Sequence, residues 1–154
     1  MLTSALRLIV PSVWLGLIVG LGFIETPLKF LAPGVTVEIA LGIGRLVLTT
    51  LDGIGVALMV VITVLSLLRT RLPRAGLVTV GALWLVLLVQ VALIRPPLNA
   101  RTDAILAGRD PGESSLHVVY IAADLLLIAG IIVYLVIAGR QRAAAGGIEA
   151  AARP

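Results

Sequence analysis

The chain contains no cysteine, which excludes disulfides, thiolate metal sites and cysteine nucleophiles. It has one histidine, His117. A tight transition-metal centre is therefore not expected, although Asp124 and Glu25 are carboxylates that would complete a site around His117, and metal binding stays open. No cofactor is expected. There is no nucleophile placed beside a base, no phosphate-cradling glycine loop and no zinc-binding His-x-x-x-His, so the sequence reads as non-enzymatic. An acid–base pair of His117 with Asp124 is the weakest alternative. Charge is scarce as well, at 13% of residues, and aromatics make up 4%.

Apolar sequence fills the space. Hydrophobic residues are 60% of the chain and the mean hydropathy is +1.15, outside the range of soluble domains. Four apolar runs, 8–27, 46–68, 75–94 and 117–138, each reach the length of about 20 helical residues that crosses a bilayer core. They are continuous and lack the alternation of a β-barrel. The second helix is expected to begin earlier, at 37, after the Ala-Pro-Gly turn at 32–34. The expected fold is an all-α integral membrane four-helix bundle occupying 1–142. The Ala/Gly-rich segment 143–154 is read as a mobile tail. The first run exceeds a signal-peptide core, and no small-x-small cleavage pattern follows it, so it is read as a retained helix.

The net charge of +4 and basic pI of 10.7 do not point to nucleic acid. Arg7, Arg69, Arg71, Arg74, Arg140 and Arg142 flank the runs in the positive-inside pattern. They predict an N-in, C-in topology in a bacterial cytoplasmic (inner) membrane, with the lipid bilayer as the obligatory partner. On the outer side, Pro96 and Pro97 should end the third helix. Residues 99–107 should form a short amphipathic helix lying on the membrane surface, with Asn99 as its cap and Gly108 as its stop. Asp110-Pro111-Gly112 reads as a turn, and Ser114 or Ser115 as the cap of the fourth helix.

Depth and spacing gather the polar residues. Counting back about twenty residues from the inner arginines puts Asp52 and Asp124 a turn or so inside the outer boundary. Arg45 and Asp52 are seven residues apart, two turns on one face, and His117, Tyr120 and Asp124 follow an i, i+3, i+7 stripe. Ionisable groups at this depth should face the bundle interior. The expected cluster is Glu25, Arg45, Asp52, Gln90, Arg95, His117, Tyr120 and Asp124. Arg45 is its expected hub, and the inner end should be nearly free of polar groups. Pro27 should break the first helix and leave carbonyls that tolerate only protein or water nearby. The competing reading makes Glu25 and Lys29 a simple i, i+4 pair at a helix end.

Trp14-Leu15-Gly16, Thr26-Pro27-x-x-Phe30 and Gly44-Arg45-Leu46, with Leu116-His117 opening the fourth helix, resemble bacterial four-helix membrane proteins grouped as a domain of unknown function. That group is similar to the eukaryotic transmembrane family linked to platinum-drug resistance, and more distantly to copper-resistance D-type membrane domains. The resemblance implicates Pro27, Phe30, Arg45 and His117 and supplies no mechanism; Glu25 and Lys29 are not part of its pattern.

Two functions follow. One is a small membrane protein whose outward charged cluster binds or passes a cation, proton or polar solute. The other is an accessory or scaffold subunit whose cluster is a structural ion-pair network. Gly16 and Gly20 form a small-xxx-small pair on the first helix. It reads as ordinary packing within the bundle, with a homodimer seam as the alternative; a homo-oligomer and a larger membrane complex are the possible assemblies.

Overall fold

The computed structural model describes residues 2–68 and 72–151. All its regular elements are helical, with no strand among the described residues. Four helices are long and apolar enough to cross a membrane: α1 (Leu2–Leu31), α2 (Val37–Leu67), α3 (Arg74–Leu106) and α4 (Leu116–Ala151). The class is that of a membrane-spanning helical bundle. Their outer surfaces are apolar, with Leu46, Val78, Leu93 and Val118 all strongly exposed.

The helix ends follow local chemistry. Thr36 is extended, and its hydroxyl accepts from the Ile39 amide, capping α2. Ser114 does the same for Leu116 at the start of α4. Gly108 stops α3 in the left-handed conformation (φ 70°), with its amide donating back to Ile105. Arg7 is buried, and its guanidinium donates to the carbonyls of Leu65 and Leu68. A cation on the last carbonyls of α2 satisfies acceptors that have no helical donor.

Several boundaries differ from the sequence reading. Helix α1 starts at Leu2, not 8, and continues through Pro27 to Leu31. Helix α3 does not end at Pro96-Pro97; it continues to Leu106, so 95–106 extends the spanning helix and Asn99 is interior rather than a cap. Both departures have one cause. Ile18–Glu25 and Gln90–Ile94 are π-helical, and each lies just before a proline or proline pair. A π turn bonds i to i+5; the Arg95 amide accordingly donates to the Gln90 carbonyl. The wider turn relieves the clash between a proline ring and the carbonyl four residues back, so the helix continues instead of ending. Helix α4 runs to Ala151, into the segment expected to be a mobile tail. Arg69 and Arg71, part of the orientation argument, lie outside the described residues.

The packing register is regular. Thr63, Asp52 and Arg45 on α2 meet Trp84, Arg95 and Asp103 on α3. Steps of eleven and seven residues down one helix thus match steps of eleven and eight along its antiparallel neighbour. Gly76, Leu83 and Gln90 on α3 similarly meet Ile137, Gly130 and Asp124 on α4. Helices α2 and α4 run parallel. The hydrogen bonds Ser66–Tyr134 (2.9 Å) and Asp52–Tyr120 (3.0 Å) each span 68 residues of sequence. The fourteen residues between the two bonds on either helix are about four turns, so both lie on one seam. The apolar core surrounds Trp14, Ile18, Met59, Ile62, Leu83 and Ile131. Gly55 lies under Trp14, where a Cβ would come within 3.1 Å of the indole nitrogen. The end of the bundle that holds Arg7 is not free of polar contacts, contrary to expectation: Arg7, Ser66 and Tyr134 are all buried there and bonded.

Candidate functional site

The opposite end holds the charged cluster, built from the upper turns of α2, α3 and α4. Asp52 faces inward from α2. Its Oδ1 accepts from the Tyr120 hydroxyl at 3.0 Å, and its Oδ2 lies 2.9 Å from Arg95 Nε. The N–H of Arg95 is off line in that pair, so the contact is an ion pair without an aligned hydrogen bond. Tyr120 serves twice, because the Arg95 guanidinium also lies 5.2 Å from its ring centre. Asp124, 4% exposed, sits one helical turn deeper than Tyr120, and its Oδ1 accepts from Gln90 Nε2 at 2.7 Å. No Lys, Arg or His nitrogen among the described residues comes within 4.0 Å of Asp124. Two further buried atoms have no protein partner: Gln90 Oε1 and Arg95 Nη2.

The structure therefore brings together Asp52, Gln90, Arg95, Tyr120 and Asp124 as two units, an Asp52–Arg95–Tyr120 triangle and a Gln90–Asp124 pair. The expectation of Arg45 as hub is corrected. Arg45 is half-exposed and pairs with Asp103, not with Asp52, Asp124 or Glu25. Glu25 turns instead to Lys29 at 3.3 Å, the plain i, i+4 pair, with the lysine side chain largely buried. Pro27 does not break α1 but lines a cavity. His117 is exposed and joins no group of three His, Asp or Glu side chains able to hold a metal among the described residues. The sequence reading missed Asp103. Its signal was the matched spacing of Arg45–Asp52 and Arg95–Asp103, seven and eight residues, which pairs them only if the helix continues past Pro97.

Two adjacent cavities open at this end. One, of about 320 Å³, lies between α1 and α4, and its wall includes Gly22, Thr26, Pro27, His117, Tyr120 and Asp124. The other, of about 280 Å³, lies among α1, α2 and α3 and is lined by basic groups. Phe30, Leu48, Thr26 and His117 are shared between them. The chemistry divides accordingly. Asp52 is closed off by Tyr120 and Arg95, whereas Asp124 borders open space.

Removing only the Tyr120 hydroxyl tests the closed half. Tyr120→Phe keeps the ring under Arg95 but leaves Asp52 Oδ1 without its buried donor. A loss of about 1–3 kcal/mol is expected, read as a lower melting temperature in detergent. An unchanged melting temperature would mean that water takes the place of the hydroxyl and that this half is not closed.

Compared with known proteins, the chain matches no family model, no curated protein and no solved structure.

Proposed function

We propose that this is an integral protein of the bacterial cytoplasmic membrane, with both termini inside, that binds a proton at Asp124 from the outward side. The observation that carries the reading is a buried carboxylate that borders a cavity and whose one hydrogen-bond partner among the described residues is Gln90. At membrane depth a bare carboxylate costs several kcal/mol, and a proton or a bound cation removes that cost. The proton is favoured because a small cation needs several oxygen ligands, and no three His, Asp or Glu groups converge among the described residues. The reading is non-enzymatic, and passage of the proton or a small cation through an oligomer or a larger complex is its natural extension. Arg74, Arg140 and Arg142 at the far end of the bundle support the orientation. Of the positions named by the family resemblance, Pro27, Phe30 and His117 line this cavity, which keeps that resemblance as part of the proposal.

Asp124→Asn is the decisive variant, because Asn keeps an acceptor for Gln90 and removes the acid. Wild type should change its melting temperature with pH, or on adding sodium or magnesium chloride, and the variant should not. A ligand at a hundredfold excess over its Kd stabilises by about 2.7 kcal/mol, and about 2–4 °C of shift accompanies each kcal/mol in a chain of this size. A response to cations but not to pH would replace the proton by a cation. Identical behaviour of variant and wild type under every condition would remove the site altogether. The scaffold reading has its own support in the closed Asp52–Arg95–Tyr120 network, and outright unfolding of Asp124→Asn would favour it.

A further inference from the structure

The second cavity carries charge of the opposite sign. Lys29, Arg45, Arg95 and Arg101 all line it, and no Asp or Glu does. Three carboxylates pair with three of these cations, Glu25 with Lys29, Asp103 with Arg45 and Asp52 with Arg95. All three carboxylates lie outside the lining, so the charged residues that border the space are basic. Among the described residues Arg101 is met by the carbonyls of Pro111 and Gly112 and by no carboxylate, which leaves one positive charge in excess among these seven groups. Arg95 is 5% exposed, and its Nη2 is buried with no acceptor. A buried guanidinium nitrogen without an acceptor is costly in a protein interior, and an oxyanion supplies what it lacks.

We infer that this cavity, which adjoins the Asp124 cavity but is not lined by Asp124, is a binding site for a phosphate group, an inference independent of the proton reading. The class follows from the donors. Three arginines and a lysine border one space, and arginine forks match tetrahedral oxyanions in bidentate geometry. Asn99 adds an amide to the same lining. The phosphate belongs either to a lipid headgroup or to a free anion, and the same donors serve both.

The test uses purified, delipidated full-length protein in detergent. Its melting temperature is followed against sodium phosphate, against sodium chloride at equal ionic strength, and in mixed micelles of phosphatidylglycerol or phosphatidylcholine. A rise with phosphate that chloride does not reproduce supports a free-anion site. A rise in phosphatidylglycerol micelles alone supports a headgroup site. Arg101→Gln, which breaks no carboxylate pair, should fold and bind about tenfold more weakly, the loss of one charge-assisted contact. The double variant Arg45→Gln/Asp103→Asn removes a second donor with its counter-charge and should weaken binding again. Asp124→Asn should keep the full anion response, which separates this inference from the proton reading. Equal shifts with phosphate and chloride, no shift with either phosphate source, or undiminished binding in both basic-residue variants would overturn it.

Discussion

Arg95→Met should destabilise the solubilised protein by about 3–5 kcal/mol, the cost of removing one partner from a buried ion pair. The reason is local. Asp52 is buried and accepts one hydrogen bond, from Tyr120; its other oxygen faces Arg95. Without the guanidinium that oxygen is left charged beside the Tyr120 ring. The same logic predicts rescue. Arg95→Met combined with Asp52→Leu removes both charges, and a buried pair replaced by apolar side chains of similar volume is often neutral or stabilising. The double variant should therefore recover most of the loss in a chemical or thermal denaturation series. If the two single losses simply add, Asp52 and Arg95 are not coupled, and the triangle is wrong. Arg45→Gln is the control. Its pair with Asp103 is half-exposed at both ends, so less than about 1 kcal/mol should be lost.

Trp14→Ala is expected to have the second largest effect. Trp14 is fully buried between α1 and α2, with Gly55 leaving room for its indole. Large aromatic-to-alanine changes in cores cost about 3–5 kcal/mol, part of it from transfer to water and part from lost packing. In a bilayer the transfer part is missing, because acyl chains are as apolar as the bundle. The loss should accordingly fall to about 2–3 kcal/mol, below the value for a soluble core. Gly55→Val approaches the same seam from the other side and should destabilise in parallel, since Val atoms would meet the indole. A loss near zero for both variants would show that the α1–α2 seam is not packed on this residue.

Much of the site was legible because of period and depth. Tyr120 and Asp124 both face inward on one stripe of α4, as 3.6 residues per turn requires, whereas His117 on the same stripe is exposed. Gln90 and Arg95 followed from their place on the last turns and at the end of the third apolar run. The partner of Arg45 was not legible, because Pro96-Pro97 reads as a helix end and the π turn before it cannot be seen in residue types. Once α3 continues upright, the register that pairs Thr63 with Trp84 and Asp52 with Arg95 carries on to Arg45 and Asp103. The role of Arg7 was not legible either: its place beside an apolar run says nothing of its partners, and only the three-dimensional end of α2 shows the carbonyls it caps.

The two tyrosine bonds between α2 and α4 also constrain how the bundle can be worked mechanically. Sliding α4 along α2 by one helical turn, about 5.4 Å, would break Ser66–Tyr134 and Asp52–Tyr120 together, since both have the same offset. Two bolts at one spacing lock these helices against piston motion, and the Asp52–Arg95 pair ties α3 to them. The upper half of α1 has no such bolt to α4. It faces the Asp124 cavity through Gly22, Thr26 and Pro27 and is joined to its lower half by a π segment. Any opening of that cavity therefore falls to α1 as the moving wall, swinging against a clamped three-helix frame.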